Sequence, residues 1–419
     1  MNLHNHLTRG AAGLLIDNLR YWSSAYRPLG GLFYVAIYRI FGFHPLPFRI
    51  ACFGLLALNL GFLWRFTRRL SGSRELAFLA LLLAGYHAWF VDLYYNTGTV
   101  YDLLCYCFYL GAFNFYLGVR PQKLSWRELG TLTILYVCAL NAKEMAVTLP
   151  VLLAVYEAIY HGRSFRYTGV LVTSLVTIPY MIGKLTGPGS LVETPSYHLT
   201  ISPGRYLDTF HLYLNPLLYR EHLFRDPNTV QLLIAMLLVA LFLRKEPLLF
   251  AWCFVLISLL PVAFIAHYAG FFLYLPMAGW ALYAAALLVE IRKLVVRDVR
   301  SLPLQKASVV ALPLLLVLVL APQHRRESAK TLRIYESVQP PTRQVAAELM
   351  ALRPRLPRGS RVLFVGDPFP QNEYFLYFLT RLLYRDMTLT VDKAPGSPGH
   401  YDAVFVFRDG RFLATNEHE

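Results

Sequence analysis

Long apolar runs recur along this 419-residue chain, and the breaks between them are short and rich in Arg, Lys, Gly and Pro. No other feature narrows its possible folds as far. A helix needs about 20 mostly apolar residues to cross a bilayer, within a range of roughly 17–25. Lipid offers no hydrogen bonds, so the backbone must satisfy itself. Ten stretches are candidates: 46–66, 75–91, 98–118, 127–142, 145–161, 167–184, 229–243, 247–267, 269–290 and 307–321. Composition agrees, with 56% hydrophobic and 16% charged residues, against about 25% charged in a soluble domain. This excludes a disordered chain. The five Cys all fall inside the proposed spans, which excludes a disulfide-stapled secreted domain and reads as small apolar packing.

The net charge is +15, which in a soluble protein would suggest nucleic acid. Its placement says otherwise. Arg65, Arg68, Arg69 and Arg74 follow the first span, and Arg120, Lys123 and Arg127 the third. Arg163 and Arg166 follow the fifth, Arg244 and Lys245 the seventh, and Arg292, Lys293, Arg297, Arg300 and Lys306 the ninth. These are alternate loops, so they share one side, where short basic loops mark the cytoplasm. Loops 91–97, 141–144, 185–228 and 268 then face outward, with both termini. The charge excess is an orientation signal, and no nucleic-acid partner is expected.

The expected architecture is an α-helical polytopic membrane protein of about ten spans with a small C-terminal α/β extracytoplasmic domain. Residues 1–45 would be an extracytoplasmic loop, 46–321 the transmembrane helical domain and 322–419 the soluble domain. Within 1–45, the stretch 30–42 reads as an amphipathic helix lying in the membrane interface and ended by Gly42. No apolar run precedes this loop to carry it outward, and its arginines oppose translocation. The sequence therefore reads as lacking a first span; the alternative is that 1–45 stays inside and one span is misplaced. In the tail, 325–352 reads as a polar helix and 361–366 as a buried strand. A helix over 371–385 and strands over 387–392 and 402–407 follow, with Asp409-Gly410 as a hairpin turn.

Polar residues bordering spans are costly and functional by default. Asp92 and Asp102 flank one outward loop. Either carboxylate could act as a general base or hold a divalent cation such as Mg or Mn. Equally, either could cap a helix or pair with Lys143. His87 reads as a hydrogen-bonded interfacial histidine rather than a ligand. Lys143 and Glu144 form a tight outward turn. Lys143 could hold a phosphate as a point charge with Glu144 orienting it, or the two could form an ion pair between helix ends. Arg27 suits bidentate phosphate contact, or it could snorkel to headgroups. Loop 185–228, with Tyr197, His198, Tyr206 and His211, is long enough to be functional. No zinc spacing, serine-nucleophile motif or Walker loop is present.

Several strings occur in a telling order: Tyr26-Arg27-Pro28-Leu29, Phe41-Gly42, the Asp92 loop, Ala142-Lys143-Glu144-Met145-Ala146-Val147-Thr148-Leu149-Pro150, then Leu273-Tyr274-Leu275-Pro276 and Gly279. Over about residues 20–290 the chain resembles the GT-C superfamily of polyprenyl-phosphate-sugar-dependent membrane glycosyltransferases, nearest its O-mannosyltransferase-like members. The resemblance implies transfer of a sugar from a polyprenyl-phosphate donor to an acceptor hydroxyl on a protein, lipid or glycan. Transfer would invert the anomeric centre, at the non-cytoplasmic face of the inner or plasma membrane. By position, Asp92 and Asp102 match the family's acidic residues, Asp92 as base or metal ligand, while Arg27, Lys143 and Glu144 match the donor-phosphate site. Two departures stand out. The acidic pair expected after a first span is absent, Asp17 being the one acid in 1–45. Phe271 and Phe272 stand where a basic residue often precedes the YLP string, leaving His267 as the nearest candidate. A catalytically inactive scaffold, or a carrier of lipid-linked sugar, are the alternative functions.

Overall fold

The computed structural model describes residues 2–42, 44–85, 87, 90, 93, 96–121, 123–186, 198–219, 225–265, 269–297, 301–353, 355–370, 375–394 and 400–413. In chain order the helices are α1 (Asn2–Leu19), α2 (Pro28–Phe41), α3 (Pro45–Ser71), α4 (Arg74–Gly85) and α5 (Val100–Val119). There follow α6 (Trp126–Ala142), α7 (Leu149–His161), α8 (Tyr167–Thr186), α9 (Pro203–Leu217) and α10 (Asp226–Leu243). Last come α11 (Glu246–Ala263), α12 (Met277–Val295), α13 (Leu302–Leu352) and α14 (Phe375–Leu383). Four short strands, β1 (Arg361–Val365), β2 (Thr390–Lys393), β3 (Ala403–Arg408) and β4 (Arg411–Leu413), lie near the C-terminus.

Among the described residues, six helical stretches are long and apolar enough to cross a membrane: Pro45–Ser71, Thr97–Val119, Glu144–Ser164, Tyr167–Thr186, Glu246–Ala263 and Pro303–Arg333. Their outward faces identify the solvent. Leu171, Leu175, Ile178 and Ile182 are exposed along α8, and Leu314, Leu315, Leu318 and Val319 along α13. Only 6% of the apolar stretch of α13 is buried. A water-soluble protein rarely exposes contiguous apolar surface on this scale; acyl chains accept it without cost. The chain is a helical membrane protein.

The expected spans map unevenly onto these helices. Stretch 75–91 becomes α4, which ends at Gly85 after 12 residues. At 1.5 Å per residue that is about 18 Å, short of a core of about 30 Å. Stretch 269–290 opens as a short turn of 3-10 helix, Gly270–Leu273, and becomes α-helical only at Met277. Pro276 lacks the N–H that would continue a helix through it. The apolar stretch 307–321 does not end at Pro322. α13 continues to Leu352 as one helix and absorbs the separate polar helix expected over 325–352.

The described residues form two compact units. The larger one, residues 16–30 and 49–329, is built around α5, most of whose span is buried. Tyr101, Tyr109, Phe113 and Tyr116 are fully enclosed. Asparagines tie α3 to α5. Asn59 donates to Leu103 O at 3.0 Å, and Asn114 donates to Phe62 O at 3.0 Å and Leu110 O at 2.9 Å. Such side-chain amides act as glue where lipid removes the hydrophobic drive between helices. α6 begins at a capping box, in which Ser125 and Glu128 satisfy each other's backbone N–H. At the far end of α5, the buried carboxylate of Glu157 accepts from Tyr116 Oη at 2.8 Å, Arg120 Nε at 3.0 Å, Arg120 Nη2 at 2.9 Å and Arg166 N at 2.9 Å. Four donors satisfy the charge that burial would otherwise penalise.

The smaller unit comprises residues 1–15, 31–48 and 330–419. Its sheet runs β2-β1-β3-β4, with β1 parallel to both β2 and β3 and β3 antiparallel to β4. The Asp409-Gly410 turn has positive φ at both residues, 53° and 80°, the backbone a tight two-residue hairpin requires. Val362, Phe364, Ala403 and Phe405 alternate inward and pack against Val345, Leu349, Leu376 and Leu379. Helical residues of the N-terminal segment belong to this unit as well. Tyr38 donates to Leu382 O at 3.1 Å. His4 packs on Tyr377 and Phe378 and lies 3.1 Å from Arg381 Nη1. Gly42 ends α2 at φ 63°; a Cβ there would meet Arg385 Nη2 at 2.4 Å.

Candidate functional site

The Ala142-Lys143-Glu144 turn is where the larger unit concentrates buried charge. α6 ends as Lys143 turns to extended backbone, and Glu144 opens a short 3-10 turn. This geometry sends the two side chains to different partners rather than to each other. Lys143 Nζ donates to Asp102 Oδ1, with the two side chains only 2% and 5% exposed. Asp102 lies in the first turn of α5, where the helix dipole also favours an anion. The ammonium lies 4.3 Å from the ring centre of Phe272 and 4.8 Å from that of Phe271. The aromatic pair standing where a basic residue was expected therefore faces a cation.

Glu144 belongs to Arg27. Arg27 Nε donates to Oε2 at 3.1 Å, and Nη2 donates to the same oxygen at 2.8 Å. The guanidinium also lies 4.8 Å from the ring centre of Tyr26 and 5.5 Å from that of Tyr101. Arg27 is buried, so it does not snorkel. Its φ of 43° is unusual for any side-chain-bearing residue, and more so immediately before a proline. Strained backbone of this kind costs of order 1–3 kcal/mol and persists only where its surroundings hold it. Here they do. Asn141 Nδ2 donates to Asn18 O at 2.8 Å, and Lys184 Nζ donates to Ala25 O. Gly183 lies so close to Trp22 that a Cβ would be 1.6 Å from the Trp22 carbonyl oxygen. The segment before α2 is thus stitched to the ends of α6 and α8.

Lys184 is the residue that the sequence reading passed over. It closes a long apolar span and was read as part of it. In the structure it is buried, lies 5.5 Å from the ring centre of Tyr180, and has no carboxylate within ion-pair distance among the described residues. A lone lysine at the end of an apolar span was the available signal.

These groups line a cavity of about 260 Å³. Arg27, Lys143, Glu144 and Lys184 supply its polar wall, while Val147, Leu260, Val262, Ile265 and Phe272 are among its apolar ones. Three cations thus line it against one carboxylate. Asp102 is engaged by Lys143, and the Glu144 and Asp17 carboxylates act on Lys184 from beyond ion-pair distance. The arrangement suits an amphipathic anion, with charge at one end and hydrocarbon along the rest.

The other expected residues fall differently. Asp92 and His267 lie outside the described residues. His87 is buried; its Nε2 donates to Leu217 O at 2.9 Å and its ring stacks on Tyr219 at 4.8 Å. Burial lowers its pKa to about 4 despite that hydrogen bond, so it is neutral at pH 7. Of loop 185–228, Tyr206 and His211 lie on α9, and Tyr206 donates to Leu256 O at 3.0 Å; Tyr197 lies outside the described residues. Among the described residues no three His, Cys, Asp or Glu side chains gather as a metal site. Asp102 and Glu144 are each engaged by a cation and do not fit as a divalent-metal pair. The chain matches no known family model, no curated protein and no solved structure.

Proposed function

We propose that the chain is a membrane glycosyltransferase that takes a sugar from a polyprenyl-phosphate donor and passes it to an acceptor hydroxyl at the non-cytoplasmic face. The observation that carries this reading is the largely apolar cavity whose lining includes Arg27, Lys143 and Lys184. A polyprenyl phosphate is an anion on a hydrocarbon tail and needs both surfaces at once. The basic loops on the opposite side support the orientation.

In this reading the acceptor oxygen attacks the anomeric carbon, and the bond from that carbon to the phosphate oxygen breaks. The acceptor's proton passes to a carboxylate base, and the lipid monophosphate leaves. The leaving phosphate gains negative charge, and fixed cations in a low-dielectric site stabilise it more than water can. Lys184 is suited to this work, since among the described residues no carboxylate lies within ion-pair distance of it. Asp102 fixes the ammonium of Lys143, and Glu144 fixes the guanidinium of Arg27, so both act as positioning groups. Asp92 remains the proposed base. No step is routed through a metal; Asp92, the carboxylate expected to hold a divalent cation, lies outside the described residues.

The test is sugar transfer in proteoliposomes by Asp92→Asn and Lys184→Met. Neither substitution removes the partner of Asp102 or Glu144. Loss of transfer in both, with the protein still folded, is expected. Full transfer in both variants contradicts the reading, as does flipping of intact donor across the bilayer without transfer.

A further inference from the structure

A second charged site lies at the other end of α5, independent of the proposed transfer. Arg65, Arg68 and Arg69 occupy the last turns of α3 at spacings of three and four, which puts them on one face. All three are exposed. With Trp64 and Gly72 they line a cavity of about 370 Å³. None of the three forms an ion pair with a described residue. The nearby Glu75 is already taken by Arg292, at 2.7 and 2.8 Å. Arg69 Nη1 donates to Asn114 O on α5, which fixes one wall. Gly72, at φ 66°, leaves open space where a side chain would stand.

Orientation signals and the helix dipole both favour cations at this end, but neither requires arginine or a cavity. Guanidinium forks match phosphate oxygens in a way an ammonium does not. Clustered basic residues at the end of a transmembrane helix suit anionic phospholipid headgroups. The flank of α3 leading to this site is apolar and mostly open, with 22% of its span buried and Leu58 exposed. Acyl chains can therefore lie along the same helix whose end holds the headgroup.

We infer that this cavity is a specific seat for an anionic glycerophospholipid, with Arg65 and Arg68 holding its phosphodiester and Trp64 marking the interface. Native mass spectrometry of the full chain in detergent, titrated with phosphatidylglycerol or phosphatidylcholine, tests it. At least ten-fold stronger retention of phosphatidylglycerol is expected. Arg65→Gln with Arg68→Gln should abolish the preference, and Arg65→Lys with Arg68→Lys should reduce it several-fold. Both pairs leave the Arg69 contact in place, and the lysine pair keeps the test decisive if the glutamine pair fails to fold. Equal retention of the two lipids overturns the inference. So does a lysine pair that binds as tightly as the native protein. Displacement of the lipid by millimolar inorganic phosphate also overturns it, because that makes the site one for free phosphate.

Discussion

Removing Lys143 should expose how much of this bundle depends on one buried charge pair. Lys143→Met leaves Asp102 unpaired at 5% side-chain exposure. Asp102→Leu leaves an ammonium unpaired between Phe271 and Phe272. Breaking a buried pair from one side costs about 3–5 kcal/mol, whereas replacing both partners with apolar groups is often neutral or stabilising. The ring contacts retain at most about 2 kcal/mol for the lysine left behind, so Asp102→Leu should be the milder single change. The double variant should then recover at least about 3 kcal/mol relative to the sum of the singles, a factor of more than a hundred in the unfolding equilibrium. Reversible unfolding in mixed micelles, followed by far-ultraviolet circular dichroism, measures all four proteins. Additive losses within about 0.5 kcal/mol would refute the pairing argument. The double variant also separates folding from function: it should fold yet transfer no sugar.

Three further outcomes follow from particular contacts. Gly183→Ala should displace the segment carrying Arg27, because the added Cβ would fall 1.6 Å from the Trp22 carbonyl oxygen; a loss of at least 1–3 kcal/mol, measured by thermal unfolding, is expected along with loss of donor binding. Arg27→Lys keeps the charge but not the fork on Glu144, so donor binding should weaken at least ten-fold, read by titration with polyprenyl phosphate. His6 is buried beside Tyr34, and burial lowers its pKa to about 4. The unfolded chain binds that proton first as pH falls, so this stability is complete above about pH 6.5 and lost on acidification toward pH 4, by up to about 3 kcal/mol. Protection factors across residues 4–15, which divide out the fall of intrinsic exchange on acidification, should drop between pH 6.5 and pH 4, and His6→Phe should flatten that drop.

Much of the bundle was legible because a lipid-facing helix needs a long apolar run and little else. The same logic reads further than α4, which is helical over Arg74–Gly85, with part of the expected stretch 75–91 outside the described residues. It also misjudged α13, where a change in composition at Pro322 marks a change of surroundings rather than of backbone. The strands and the Asp409-Gly410 hairpin were readable from alternation and turn chemistry, both local signals. Lys143, Glu144, Asp102 and Arg27 were singled out because charge at a span border is expensive. The Asp102–Lys143 pair was one of the readings the sequence left open, but the Arg27–Glu144 pair was not readable, because it depends on which helix ends meet. Lys143 and Glu144 are adjacent, yet the extended backbone at Lys143 turns them to partners 41 and 117 residues away. Lys184 escaped notice because hydropathy reads it as the end of an apolar span, while its place beside Arg27 and Lys143 depends on which helix ends meet.

The central claim is that the cavity beside Lys143 and Lys184 seats a lipid phosphate. The most direct measurement is photo-crosslinking of the full chain in vesicles with a polyprenyl phosphate carrying a diazirine near its head, followed by peptide mapping. The account predicts label on residues 143–147, 180–185 and 260–265, competed by unlabelled polyprenyl phosphate and not by polyprenol. Label spread over the lipid-facing flanks of α3, α8 and α13, or competed equally by both lipids, would contradict it.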